Sequence, residues 1–221
     1  MDYLWFVLKG VPFYREHNYT FEIPDHPKFQ RLAQISPNFE VTDRDAAEKL
    51  FVEQIYNPDF FKPGLAALES ERPRIESAFP NMIDFNRKWG FKIFSQYQLL
   101  LTRYGPGGMS YNDTGIIVAR VNESGSLRRK HPSHTPVHEM VEIGISDLIP
   151  KFELTHAEKE RVVDHICITR LGNSVPGYKF QTDDPDLAPV GDKRIDSFFS
   201  QGTLDNLPEI LNQYVLKFPR K

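Results

Sequence analysis

A single cysteine, Cys167, among 221 residues leaves the chain no internal disulfide framework, and a reducing compartment is the matching expectation. Cys167 sits in an apolar helical pattern, so a small core side chain is expected there rather than a nucleophile. Long apolar runs are missing as well. The stretch from Leu4 to Leu8 is apolar for only about five residues, too short for a secretory leader or a membrane span. A cytoplasmic protein with no membrane partner is expected. Charge of one sign is also scarce: 27 Lys and Arg stand against 30 Asp and Glu, a net charge of −3. The one basic run, Leu127-Arg128-Arg129-Lys130-His131, is short and reads as a solvated loop, so no nucleic-acid partner is expected. Gly105-Pro106-Gly107-Gly108 is followed by neither Gly-Lys-Ser/Thr nor a helix, which excludes a phosphate loop. It reads as a hairpin turn, with a loop lining a site as the alternative.

What is present is an ordinary globular composition, 40% hydrophobic and 26% charged, long enough for one domain over residues 1–221. The pattern predicts α+β architecture. Strands are expected over 3–23, where Leu4–Leu8 is aromatic and β-branched and Tyr19–Ile23 alternates. A loop with a surface histidine, His26, follows at 25–38. A helix is expected over 43–56, then one long helix or two over 63–88, kinked or divided by Pro73 and Pro80. Strands are expected over 91–104 and 115–121, helices over 136–149 and 155–171, a loop over 173–191 and a last helix over about 205–217.

Chemistry concentrates in the C-terminal half. Five of the seven histidines fall between residues 131 and 165. Thr135-Pro136-Val137-His138-Glu139-Met140-Val141-Glu142 reads as a helix capped by Thr135, with Pro136 first and His134 outside it. His138 and Glu142 are one turn apart and share a face. They would grip a metal, and Glu139, rotated by about 100°, would reach a water on it. Thr155-His156-Ala157-Glu158 is a capping box that opens a second helix, on which Glu160 and Asp164 share a face. The alternative to a ligand role is that Glu158, Lys159, Glu160 and Arg161 form a solvated face with local ion pairs.

His-Glu-x-x-Glu followed by a helix with Glu-x-x-x-Asp resembles the gluzincin branch of the zincin metallopeptidases, over roughly residues 91–171. The flanks, 1–90 and 172–221, take nothing from the resemblance. It implies a mixed or antiparallel sheet whose edge hairpin packs on the active-site helix, beside a second, ligand-bearing helix. The strand before the active-site helix would pair with an extended peptide substrate. It implies His138, Glu142 and Glu160 as ligands of zinc, with Asp164 hydrogen-bonded to the free nitrogen of His138. Asp164 is the alternative to Glu160 as third ligand. Glu139 is implied as general base. His165, Tyr178 and Tyr111 are candidates for donating to a substrate oxyanion.

The departure is Glu142, where the family has histidine. One histidine and two carboxylates nearly cancel the ion's charge, acidify water less, and tolerate manganese or magnesium better. Three functions follow: a metal-dependent peptidase acting on peptide or protein substrates, a binding or regulatory module on a degenerate scaffold, and a cyclic-substrate or amide hydrolase using the same site.

Overall fold

The computed structural model describes residues 2–16, 18–129, 131–183, 190–201 and 204–220. Lys130 of the basic run and residues 184–189 of the expected loop lie outside them, as do Met1, His17, Gly202, Thr203 and Lys221. The architecture is α+β. Among the described residues there are α1 (Asp2–Glu16), α2 (Pro27–Ile35), α3 (Val41–Leu50), α4 (Lys62–Glu76), α5 (Phe79–Trp89), β1 (Gln98–Thr102), β2 (Met109–Tyr111), β3 (Ile116–Arg120), α6 (His134–Ile145), α7 (Leu148–Lys151), α8 (His156–Arg170), α9 (Asp196–Gln201) and α10 (Leu207–Lys217). No helix among them is long and apolar enough to cross a membrane. The chain gathers into two compact units: Met1–Ala67 with Leu101–Gly108 and Ala119–Arg128, and Leu68–Leu100 with Met109–Val118 and Arg129–Lys221.

In the first unit the strand expected over Leu4–Leu8 is instead helix α1. Its buried side chains, Leu4, Val7, Leu8, Val11 and Tyr14, recur at three- and four-residue spacing, the period of a helix rather than a strand. Leu4, Trp5, Leu8 and Val11 form one apolar cluster with Phe29, Leu32 and Ala33 of α2 and Ala47 of α3. Pro12 lies inside α1 and cannot donate to the Leu8 carbonyl one turn back. The Ser36 hydroxyl makes that bond instead, 2.7 Å from Leu8 O. Where a loop was expected, His26 caps α2, its Nδ1 accepting from Lys28 N at 3.1 Å, and Pro27 follows at a position that needs no N–H. Tyr19–Ile23 contributes only an isolated bridge, Glu22 to Gly105, and Glu22 also pairs with Arg120.

In the second unit Pro80 opens α5, whereas Pro73 lies within α4. Only Pro80 marks the division, because the first turn of a helix has free N–H positions to spare. The sheet has the order β1-β3-β2. β2 runs antiparallel to β3, with Met109 opposite Val118 and Tyr111 opposite Ile116. Gln98 N donates to Gly115 O in the second unit and Val121 N donates to Thr102 O in the first; these bonds flank β1 and β3, so the two strands run parallel and the sheet is mixed. The strand expected from 91 begins at Gln98. Phe91 is instead fully buried, with its ring against α6 where Gly144 leaves room: a Cβ on Gly144 would sit 1.9 Å from Phe91 Cζ. Gly105–Gly108 leads into β2, and it is the turn at 112–115 that closes the hairpin with β3. Thus β3, the strand preceding α6, is central, and the edge strand packed against α6 is β2.

Candidate metal centre

Two helices of the second unit, α6 and α8, pack on each other and carry the polar cluster. α6 begins at His134, earlier than the cap pattern predicts. Ser133, with helical φ −71° and ψ −20°, precedes it and makes no side-chain cap. Pro136 is then the third helical residue, still among the positions whose N–H has no partner to lose. α8 begins as its sequence predicts. Thr155 Oγ1 accepts from Glu158 N at 3.3 Å, and Glu158 returns the bond by accepting from Thr155 N at 2.8 Å. These starts fix the rotation of each helix. His138, Glu139 and Glu160 are buried, although all are polar, and burying such groups is costly unless each is paired.

His138, Glu139 and Glu142 each offer a ligand atom, and those atoms lie within 4.8 Å of one another. They form a candidate metal-binding triad. Glu160 reaches in from α8, its Oε2 3.2 Å from His138 Nε2. On the other side of the ring, the Tyr178 hydroxyl stands 2.6 Å from His138 Nδ1 and donates to Asp164 Oδ1 at 3.0 Å. With its one proton spent on Asp164, the hydroxyl accepts from Nδ1–H. This network assigns the neutral imidazole's proton to Nδ1 and turns the Nε2 lone pair toward Glu160. Two acceptors then face each other, and a cation between them resolves the conflict, either a proton or a metal ion.

The donor set fits a metal. Two ligand atoms on a tetrahedral ion with bonds of about 2.0 Å lie about 3.3 Å apart, close to the 3.2 Å between His138 Nε2 and Glu160 Oε2. One ammonium answers two of the carboxylates: Lys159 Nζ lies 2.6 Å from Glu142 Oε1 and 2.8 Å from Glu160 Oε1.

The protonation behaviour follows from this crowding. Burial, then the charge of Glu142, pushes the Glu139 carboxyl up to about 7. Burial works against an ionised Glu160 and against a charged Lys159. The hydrogen bond and charge of His138, with those of Lys159, nevertheless hold Glu160 well below the carboxylate range, and Glu160 with Glu142 holds Lys159 above the ordinary lysine value. Burial disfavours the His138 imidazolium too, but Glu160, backed by Glu139 and Glu142, raises its pKa. Burial raises Asp164.

Of the other candidates, Asp164 and Tyr178 join His138 in one relay. Asp164 is fully buried. Its two oxygens accept from Tyr178 OH and from Gln181 N at 2.8 Å, so it meets His138 through Tyr178 rather than directly. Tyr178 is itself buried, and its hydroxyl is committed to this relay. His165 Nε2 is 2.9 Å from Asp196 Oδ1, and its ring stacks on Phe199 at 4.2 Å between centroids. Tyr111 lies on the edge strand, opposite Ile116. His134 is in the first turn of α6, with Nε2 2.9 Å from Pro176 O. Three contributors carry no signal in the motif. Lys159 is one, where a solvated face was expected. Gln181 donates from its side chain to Glu160 Oε2. His156 brings Nδ1 to 3.5 Å from Glu160 Oε1; its i,i+4 spacing from Glu160 was the available clue.

No protein-family model, no curated protein and no solved structure matches the chain.

Proposed function

We propose that the protein is a metal-dependent hydrolase of zincin-like architecture, a peptidase that uses zinc, with manganese as the alternative. The observation that carries this reading is the cluster on α6, buried at His138 and Glu139 and half-buried at Glu142, with Glu160 of α8 opposite His138 Nε2. His138, Glu142 and Glu160 would hold the ion. When bound, it supplies Lewis acidity to a substrate carbonyl and to the attacking water. Glu139 lies one position on from His138 and is turned about 100° around the helix, and in this reading it is the carboxylate that accepts the water's proton. Tyr178 and Asp164 keep the proton on His138 Nδ1 and so keep Nε2 available. Among the described residues β2 pairs only with β3, and an edge strand beside α6 suits pairing with an extended peptide.

A second reading is favoured by Lys159, which already meets both Glu142 and Glu160. A cluster satisfied in this way can persist without an ion, as a peptide-binding module would require. Incubation with a peptide mixture separates the two. The hydrolase yields fragments that a chelator abolishes and added zinc or manganese restores. Peptide capture without fragments, unchanged by the chelator, would favour the module.

A further inference from the structure

Lys159 occupies a position for which a solvated helix face has no use. Its side chain is 12% exposed, and its ammonium bridges one oxygen of Glu142 on α6 and one of Glu160 on α8. On Glu160 it uses Oε1, while the oxygen facing His138 Nε2 is Oε2. The lysine therefore does not need to leave for an ion to take the place between His138 and Glu160. Its charge and the ion's can coexist, joined through the shared carboxylate.

This placement bears on the anomaly of Glu142. A divalent ion held by two histidines and one carboxylate keeps a net charge of one positive. With one histidine and two carboxylates the net charge is zero, and the ion's power to polarise a carbonyl falls with it. An ammonium hydrogen-bonded to both carboxylates returns the centre to one positive. We infer that Lys159 is a built-in counter-charge that compensates for Glu142, setting the charge of the metal centre from outside the ligand shell. The inference rests on the metal-centre reading above. Lys159 is thus a positioning and charge-setting residue and touches no reacting atom.

The test is a charge cycle on the full chain, with zinc(II) and manganese(II) dissociation constants measured by competition titration and folding checked by circular dichroism. Lys159→Met removes a repulsive charge and is expected to tighten binding about tenfold. Glu142→His leaves the lysine uncompensated and is expected to weaken binding by about the same factor. The double variant is expected within about threefold of wild type. The sizes take the lower end of the about 10- to 100-fold by which outer-shell partners change metal affinity; the direction follows from the repulsion between an ammonium and a divalent ion. Lys159→Arg keeps the charge and is expected to match wild type within about threefold, which serves if the methionine variant folds poorly. The inference is overturned if Lys159→Met binds no tighter than wild type, if the double variant is no tighter than Glu142→His, or if arginine behaves as methionine does. A wild type that binds neither ion removes the metal centre itself, and this role with it, so the two failures are told apart by the wild-type titration alone.

Discussion

Glu139→Gln retains its metal and loses turnover by about 100- to 10,000-fold. Glutamine matches glutamate in shape, so the packing of a side chain that is only 5% exposed is kept. What disappears is the carboxylate that accepts a proton, and general-base catalysis contributes about that factor. The expectation also separates two roles for Glu139. Its oxygens lie close enough to His138 and Glu142 to ligate an ion with them. If it is a ligand, Glu139→Gln sheds metal as His138→Ala does. If it is the base, metal content stays at the wild-type level while the rate falls. Metal analysis and an initial-rate assay on the same preparation decide between them.

The second large effect is on stability and lies a turn from the centre. Glu158 is fully buried. Besides closing the cap of α8, it accepts hydrogen bonds from Tyr214 OH and from Arg220 Nη1, the latter at 2.8 Å. Removing one partner from a buried, charged arrangement costs about 3–5 kcal/mol. Glu158→Ala is therefore expected to lower the melting temperature by about 6–20 °C, taking about 2–4 °C per kcal/mol for a chain of this size. The acid limb carries the same signature. Burial opposes the Glu158 carboxylate, but Arg220, Tyr214 and Thr155 outweigh it and hold its pKa below the ordinary 4.5. A carboxyl with a lowered folded pKa adds stability that is fully present above the unfolded value and is lost as pH falls through the folded one. Wild type should thus lose stability on acidification below about pH 4.5, and Glu158→Gln should lose less over the same range. Thermal melts of the three proteins between pH 3 and 7 check both statements. Equal melting temperatures for wild type and Glu158→Ala would contradict this account of the hub.

The features legible in the sequence were those set by local chemistry. Thr155 and Glu158 announced the start of α8 because the capping box is a four-residue device complete in itself. The placement of His138, Glu139 and Glu142 on one helix followed from spacing alone. α1 is hidden in the sequence because Trp5, Phe6 and Val7 suit a strand locally, and because Gly10-Val11-Pro12 looks like a break. The helix survives through a contact far along the chain, Ser36 filling the bond that Pro12 cannot make. The edge strand β2 was missed because three residues following a glycine-rich turn carry too little pattern to register. At the centre, the ligand-like residues stood out and their supports did not. Lys159 looks like any exposed helix lysine until α6 is placed against α8. Tyr178 was considered for its hydroxyl, yet its position between His138 and Asp164 depends on the fold of a loop.

The most direct test of the account is the metal content of wild-type protein purified without chelator, measured by elemental analysis beside His138→Ala and Glu160→Ala. About one zinc or manganese per wild-type chain is expected, with loss of that ion in both variants while circular dichroism shows them folded. A folded wild type that holds no ion, even after incubation with zinc and manganese, would contradict it and leave the cluster as an ion-paired helix contact.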